Sequence, residues 1–193
     1  MKRILSLIAV VATAATTLMA CGKKASATEA TNTESAPKVL VAYFSATGTT
    51  KAAAEKVAKA TGAELFEIKP TEAYSAADLD WTEKTSRCCR ENDDPKSRPA
   101  FDRSKEALDG YDLIFLGFPN WWNSAPRIIN TFMDTYQLKG KRVVMFMTSG
   151  GSGIENAENV FKETYPEVKW EAGKLLNGMS ENEIGDWAKG HLK

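Results

Sequence analysis

A hydroxyl-rich turn is the first place in this sequence where chemistry is indicated. Residues 45–50 read SATGTT, and the hydroxyls of Ser45, Thr47, Thr49 and Thr50 can donate hydrogen bonds to an anion. Residues 39–44 before it are continuously apolar, as in a central strand, and residues 51–61 after it favour a helix. A helix N-terminus presents free N–H groups and a positive dipole end. This first turn, which includes Gly48, is therefore predicted to be a phosphate site.

Two familiar phosphate loops do not match this turn. A Walker loop needs Gly-Lys-Ser/Thr after a longer glycine turn, and a dinucleotide fold needs G-x-G-x-x-G. Neither pattern occurs at residues 45–50. The alternative to a phosphate site is an ordinary strand-to-helix turn whose hydroxyls are fortuitous.

Two more polar turns follow apolar runs. The second turn, residues 119–124 (PNWWNS), follows residues 113–118, and the third turn, residues 148–153 (TSGGSG), follows residues 143–147. Adjacent tryptophans in a turn are costly to expose, so one is expected to cover a flat ligand, unless both pack on neighbouring helices. The glycines of the third turn allow close backbone approach to a ligand, although a flexible turn has the same composition.

Strand-like and helix-like segments alternate from residue 38 onward. Residues 63–68 and 168–176 mix apolar with charged positions and are expected at the sheet edges, whereas the three apolar runs are expected at its centre. The pattern predicts one doubly wound α/β fold, a five-stranded parallel sheet of order 2-1-3-4-5. Ligands of such sheets lie beyond the carboxyl ends of the strands where the order reverses. The three turns should therefore meet there.

The three turns together resemble the FMN-contacting turns of the flavodoxin-like family. The similarity is greatest to a small bacterial branch with a Pro-x-Trp-Trp turn, and it covers residues 38–193. The resemblance implies that the first turn holds the FMN phosphate. It implies that Pro119, Asn120, Trp121 and Trp122 border the flavin ring. The remaining ring edge would be closed by Ser149, Gly150, Gly151, Ser152 and Gly153.

Two departures from that family bear on function. The chain carries 25 basic and 25 acidic residues, whereas typical flavodoxins are strongly acidic carriers. The second turn has no glycine, so the peptide flip that stabilises a one-electron reduced flavin is disfavoured, and we expect two-electron chemistry. These features favour an oxidoreductase that takes reducing equivalents from a nicotinamide or protein donor and passes them to a quinone or other small acceptor. The alternative is an electron carrier between proteins without turnover of its own.

A long crossover separates the second and third predicted strands. Residues 76–81 are predicted to form a short helix, and residues 86–99 a polar loop. Arg87, Arg90 and Arg98 can meet an anionic substrate, but a solvated loop balanced by nearby acids is the favoured interpretation. Cys88 and Cys89 are adjacent, and an incidental pair is favoured over a redox role because no Cys-x-x-Cys motif is present.

Several classes of function are disfavoured by composition. A balanced charge argues against a nucleic-acid surface. The only histidine, His191, cannot by itself support a multi-histidine metal site or a Ser-His-Asp triad. No metal site is predicted, and no side chain is assigned as an acid–base catalyst.

The N-terminus is predicted to be an address signal. Lys2 and Arg3 precede an apolar run at residues 4–18, which is shorter than the roughly 20 residues that span a bilayer. The run ends in Leu-Met-Ala-Cys21, which resembles the lipobox of bacterial lipoproteins. Residues 1–20 are thus expected to be a lipoprotein signal peptide and residues 21–37 a flexible tether. This places the domain outside the cytosol, anchored to a membrane by lipid on Cys21. The alternatives are a plain cleaved signal peptide and an uncleaved anchor.

Overall fold

A computed structural model describes residues 36–193, which form five strands and five helices. The strands are β1 (Val39–Tyr43), β2 (Glu64–Glu67), β3 (Leu113–Pro119), β4 (Arg142–Thr148) and β5 (Lys169–Leu175). The helices are α1 (Thr49–Thr61), α2 (Arg87–Asp93), α3 (Arg127–Tyr136), α4 (Glu155–Thr164) and α5 (Glu181–Gly190). Among the described helices, none is long and apolar enough to cross a bilayer. The predicted signal peptide, Cys21 and most of the predicted tether lie outside the described residues.

The sheet has the predicted order, β2-β1-β3-β4-β5, and every neighbouring pair of strands is parallel. Leu40 of β1 lies opposite Ile114 of β3, and Pro119 at the end of β3 lies opposite Thr148 at the end of β4. The central strands are almost wholly buried, whereas β2 exposes three of its four residues and β5 exposes three of its seven. The doubly wound α/β fold is therefore confirmed.

Both faces of the sheet are covered, which explains why its central strands are apolar without alternation. On one face, Val57 of α1 and Ile184 of α5 pack on the side chains of β1 and β3. On the other face, Phe132 of α3 and Phe161 of α4 belong to a larger core, which includes Phe101 of the crossover. The helices thereby fix the strand ends from which the three turns leave.

Helix ends follow the sequence signals at α5 but not at α3. The sequence Ser180-Glu-Asn-Glu183 predicts a capping box, and in the structure Ser180 and Glu183 form it at the start of α5. The sequence Ser124-Ala-Pro-Arg predicts a helix capped by Ser124, but in the structure Pro126 occupies the cap position of α3 and gives no side-chain hydrogen bond. Gly140 is the sequence signal for the end of this helix, and that prediction is also wrong. The helix ends at Tyr136, and Gln137 takes the left-handed conformation there with φ 45°.

The crossover also differs from its prediction. Residues 76–81 form turns rather than a helix, and α2 lies inside the stretch predicted to be a polar loop. The side chain of Ser86 caps α2 by accepting a hydrogen bond from the N–H of Cys89. Cys88 and Cys89 are buried, so tertiary packing stabilises a helix that its polar composition does not indicate.

Candidate functional site

The structure brings the three predicted turns together at the carboxyl edge of the sheet. The hydroxyl oxygens of Thr50 and Thr148 are 2.8 Å apart, which joins the first turn to the third. The N–H of Asn120 donates to the carbonyl oxygen of Thr148 at 2.7 Å, and its side-chain amide donates to Ser149 Oγ at 3.3 Å. The second and third turns are thus joined as well, as the strand order requires.

The first turn leaves the start of α1 open to an anion. Gly48 has φ 90°, a left-handed conformation, and its N–H donates to Ser45 Oγ at 3.1 Å. No side chain caps α1, and its first turn contains no acidic residue. Thr47 and Thr49 are exposed beside this helix end. Free N–H groups, exposed hydroxyls and the positive end of the helix dipole therefore point to one place.

The second turn is a tight and strained loop. Trp121 and Ser124 exchange backbone hydrogen bonds of 2.9 and 3.0 Å across it. The two residues between them, Trp122 and Asn123, have φ of 48° and 60°. A bulky side chain in the left-handed region costs about 1–2 kcal/mol. The surrounding contacts hold this turn in place, because Asn156 of α4 donates to the carbonyl oxygen of Asn123 at 2.8 Å.

The two adjacent tryptophans have different environments. Trp121 packs edge-on against Phe44 and Tyr74, with ring centroids 5.7 and 5.4 Å away. Trp122 remains 42% exposed. The two indoles therefore differ, because Trp121 packs on rings from the end of β1 and from the crossover, whereas a large part of Trp122 is open to solvent.

Tyr74 supports Trp121 from behind through a charged cluster. Its hydroxyl donates to Glu91, and the guanidinium of Arg87 lies 4.0 Å from the centroid of its ring. Arg87 and Glu91 form an ion pair of 2.6 Å, one turn apart on α2. Burial, together with the neighbouring Glu91 carboxylate, raises the pKa of Tyr74 well above its ordinary value, so its phenol stays protonated.

The third turn is organised by Ser149. Its Oγ accepts hydrogen bonds from the N–H groups of Gly151 at 3.2 Å and Ser152 at 2.9 Å, and its own N–H donates to Asn177 Oδ1 at 2.6 Å. A Cβ added at Gly150 or Gly151 would meet nothing within 4 Å. The space beside these two glycines is open to a ligand.

A cavity of about 330 Å³ lies beside the second turn. Five of the predicted site residues line it, namely Thr47, Pro119, Asn120, Trp121 and Trp122. The other predicted site residues, on the first and third turns, do not line it. It is also lined by Ala46, Leu79, Trp81 and Cys88, which the sequence interpretation missed. The one signal for them was Trp81, a large indole in an otherwise polar stretch.

Asn120 also carries a polar atom without a partner. Its Oδ1 is buried and accepts no hydrogen bond from any described residue. A buried carbonyl oxygen left in this way is costly and is usually satisfied by a ligand or water. Asn120 thus has an unused acceptor at the point where the second and third turns meet.

The crossover arginines are occupied by their own neighbours. Arg87 pairs with Glu91, Arg98 pairs with Asp134 at 2.5 Å, and Arg90 donates to the carbonyl oxygen of Thr85. The favoured interpretation of these charges, a balanced surface, agrees with these contacts. Cys88 and Cys89 are free thiols, and burial raises the pKa of the Cys88 thiol above its ordinary value.

Comparison with known proteins decides the family. The flavodoxin family model matches residues 38–191. The chain belongs to the flavodoxin family. Two solved structures share 51% sequence identity with it and cover 80% of its length, both of them candidate flavoproteins from Bacteroides. The protein from B. uniformis ATCC 8492 has a TM-score of 0.77 over 99% of its own chain, and that from B. eggerthii DSM 20697 has 0.74 over 97%.

A less similar solved structure contains a bound ligand. A flavoprotein from Lactobacillus acidophilus NCFM, crystallised in complex with FMN, is 26% identical, with a TM-score of 0.61. The alignment covers 79% of this chain and 99% of that one. A comparison with curated proteins gives no match.

Proposed function

We propose that this member of the flavodoxin family is a redox protein whose cofactor is FMN, bound non-covalently. One observation carries the proposal, namely that three polar turns from separate parts of the sequence are hydrogen-bonded together at one edge of the sheet. The similarity to a flavoprotein crystallised with FMN supports the choice of cofactor.

The residues present fit this cofactor. The uncapped start of α1 suits a phosphate, since it offers N–H groups and no competing carboxylate. The unpaired Oδ1 of Asn120 suits the ring N–H of the flavin pyrimidine. The half-exposed indole of Trp122 suits a flat aromatic ring.

Each turn has a distinct part in binding. The phosphate would be held by Ser45, Thr47, Gly48 and Thr49, and by the backbone N–H of Thr50, whose side chain is buried against Thr148. The ring would be bordered by Pro119, Asn120 and Trp122, with Trp121 supporting that turn from its aromatic cluster. The remaining edge would be closed by Ser149, Gly150, Gly151, Ser152 and Gly153.

Bound FMN supplies the electron-transfer chemistry, and the chain supplies position and environment. The first turn would stabilise the phosphate with hydrogen bonds and the positive end of the α1 dipole, and Asn120 would fix the orientation of the ring. Phe44, Tyr74 and Trp121 keep water from the space behind the second turn. Because the neighbouring phenol of Tyr74 stays protonated, it adds no charge to that space.

The function we favour is that of an oxidoreductase. It would pass reducing equivalents from a nicotinamide or protein donor to a quinone or other small acceptor. A near-neutral charge and a second turn without glycine support this choice over an electron carrier between proteins. Neither function involves nucleic acid.

The visible absorption spectrum of the purified protein is the first test. Flavin bands and calorimetric binding of FMN are expected, and a colourless protein that takes up no FMN would contradict the proposal. Aerobic NAD(P)H oxidation by the FMN-loaded protein then separates the two functions. Turnover with added quinone indicates an enzyme, whereas no turnover with varied acceptors indicates a carrier.

We further propose that the chain is exported and held at a bacterial membrane by lipid on Cys21. The lipobox-like ending of the apolar run and the core-less composition of residues 22–37 support this. Mass spectrometry of the membrane fraction should find a lipid-modified N-terminus at Cys21. A Cys21→Ala variant is expected to lose this modification and leave the membrane after cell lysis, unless an uncleaved apolar run retains it.

A further inference from the structure

The turn that follows β5 lies beside the three turns of the candidate site. Leu176 donates its N–H to the carbonyl oxygen of Met147 at 2.9 Å, so the chain leaves the sheet next to the end of β4. The N–H of Met179 donates to the carbonyl oxygen of Leu176 at 3.3 Å, which closes a turn with residues 177 and 178 at its centre. Residues 176–179 are called the fourth turn below.

The side chain of Asn177 joins the fourth turn to the third turn. Its Oδ1 accepts a hydrogen bond from the N–H of Ser149 at 2.6 Å. Ser149 Oγ accepts another from the side-chain amide of Asn120 at 3.3 Å, at the junction of the second and third turns. A change in the charge or position of the Asn177 side chain therefore reaches the candidate flavin site through Ser149.

The fourth turn contains the only Asn-Gly pair in the sequence, Asn177 and Gly178. Both residues are exposed, and Gly178 has φ 71°, a conformation that glycine adopts without strain. A Cβ added at Gly178 would meet nothing within 4 Å, so water can reach the pair. Because glycine has no side chain, its backbone nitrogen is not shielded from the neighbouring side chain of Asn177.

The atoms needed for loss of the Asn177 amide are chemically available. Among the contacts of residues 36–193, the N–H of Gly178 has no acceptor, so its nitrogen is available as a nucleophile. The hydrogen bond from Ser149 polarises the Asn177 side-chain carbonyl, which makes Cγ more electrophilic. The departing nitrogen, Nδ2, makes no hydrogen bond to another described residue.

We propose that Asn177 is a site of spontaneous covalent modification, at which water replaces the side-chain amide by a carboxylate. The Gly178 nitrogen forms a bond to Asn177 Cγ, and Nδ2 leaves as ammonia with the proton of the Gly178 N–H. The cyclic imide that remains is opened by water. Breaking the new bond to Cγ gives an ordinary aspartate, and breaking the original peptide bond gives a β-linked aspartate. No oxidation occurs, and one water is consumed for each ammonia released.

Both products change the third turn. An ordinary aspartate keeps an oxygen acceptor for the Ser149 N–H but brings a negative charge to it. The β-linkage also adds a backbone atom between residues 177 and 178, which displaces the acceptor from Ser149. The effect on FMN rests on the proposed function, whereas the modification itself does not.

Peptide mass spectrometry of the full chain tests the modification without FMN. The folded protein is aged in warm, mildly alkaline buffer, and the amide-to-acid conversion of each asparagine is followed over time. Asn177 should convert at least about tenfold faster than Asn159 and Asn182, which are exposed on α4 and α5 but precede valine and glutamate. Isoaspartyl methyltransferase should label the aged protein at residue 177. Equal conversion at the three positions would overturn the proposal.

A substitution at the neighbouring glycine tests the route of the reaction. Asparagine tolerates the left-handed conformation better than most residues, so Gly178→Asn should keep the fourth turn. Its side chain hinders attack by the nitrogen of residue 178, and conversion of Asn177 should slow at least about tenfold. Conversion at the unaltered rate in this variant would contradict attack by that nitrogen.

Calorimetric titration with FMN measures the consequence for the third turn. Asn177→Asp should weaken FMN binding about threefold, because its carboxylate repels the anionic cofactor. The converted fraction of aged protein, separated by ion exchange, should bind about tenfold more weakly, since its β-linked molecules also lose the Ser149 hydrogen bond. The matched control Asn182→Asp adds the same charge on α5 and should bind FMN as the unaltered protein does.

The outcomes separate this inference from the proposed function. If the unaltered protein does not bind FMN, the proposed function is wrong, and mass spectrometry still decides the modification. If Asn177 converts while FMN affinity stays the same, the link between the fourth and third turns is overturned. If Asn177 keeps its amide while FMN binds, the modification site is wrong and the cofactor assignment survives.

Discussion

The first and second turns both reverse the chain direction at the end of a buried strand, but they differ in backbone strain. Each must turn a chain sharply at the end of a buried strand, and each uses left-handed residues. The first turn places Gly48 at φ 90°, where a glycine is unstrained. The second turn places Trp122 and Asn123 at φ 48° and 60°, where a bulky residue is strained.

The difference lies in what holds each turn. The first turn is local, since Gly48 donates to Ser45 and α1 begins at once. The second turn depends on distant partners, namely Asn156 on α4 and the rings of Phe44 and Tyr74. We infer that the first turn selects the phosphate and the second fixes the ring, with strain tolerated only where an indole must face the ligand.

A charge at the first turn should have the largest effect on this division of roles. In Thr49→Glu, a carboxylate enters the phosphate site, and a repulsion of about 3 kcal/mol predicts a loss of FMN affinity of roughly 100-fold. Riboflavin, which lacks the phosphate, should bind almost unchanged. Calorimetric titration with both ligands measures this ratio.

The control for this substitution is Thr49→Gln, which has the same shape without the charge. It should bind FMN within about threefold of the unaltered protein. Because an acid in the first turn of a helix is favourable, Thr49→Glu should not unfold more easily. Equal losses for FMN and riboflavin would contradict a phosphate-specific first turn.

Adding a side chain to Gly48 tests whether the first turn needs a glycine at this left-handed position. Gly48→Ala should lower the free energy of unfolding by about 1–2 kcal/mol, because alanine is strained at this φ. Gly150→Ala is the matched control, since a Cβ there also meets nothing within 4 Å but its φ is not left-handed. Urea unfolding of both variants gives the comparison, and similar losses would show that φ at Gly48 is unimportant.

The same contrast explains which parts of the molecule the sequence predicts. The five strands and their order follow from local apolar runs and from short connections, and these predictions are correct. The three turns follow from the strand ends, so their meeting at one edge was predictable too. The role of each side chain at that edge was less predictable. Trp121 and Trp122 are the same residue type and differ only in their tertiary neighbours.

The crossover is where sequence reasoning was least reliable. α2 lies in a stretch whose composition indicates a loop, and its stability comes from the burial of Cys88 and Cys89 and from the Arg87–Glu91 pair. The Arg87–Glu91 pair has helical spacing, but the burial of the two cysteines depends on tertiary packing that no local period indicates. Consequently Leu79 and Trp81 were not assigned to the site, although Trp81 stood out as an indole among polar residues.

Loosening the second turn should have a smaller effect. Asn156→Ala removes the hydrogen bond to the Asn123 carbonyl, and a bond worth about 0.5–1 kcal/mol predicts a two- to fivefold loss of affinity. FMN and riboflavin should lose equally, since both carry the ring. Asn182→Ala, at an exposed position on α5, serves as the control. A loss confined to FMN would mean that the second turn acts on the phosphate instead.

The smallest effect is expected in the unaltered protein, as the amount of one-electron reduced flavin that forms when the flavin is reduced stepwise. Stabilising a one-electron reduced flavin by a peptide flip requires a turn that can exchange conformations. Here the turn is closed by two backbone hydrogen bonds between Trp121 and Ser124, and its tip is fixed by Asn156. Neither Trp122 nor Asn123 is a glycine, so a flip would add strain to a turn that is already strained. Anaerobic titration with dithionite, followed by absorption spectra, should therefore pass from the oxidised to the fully reduced form with almost no one-electron species. A large and stable one-electron signal would contradict this rigid second turn and would favour the carrier function over the oxidoreductase.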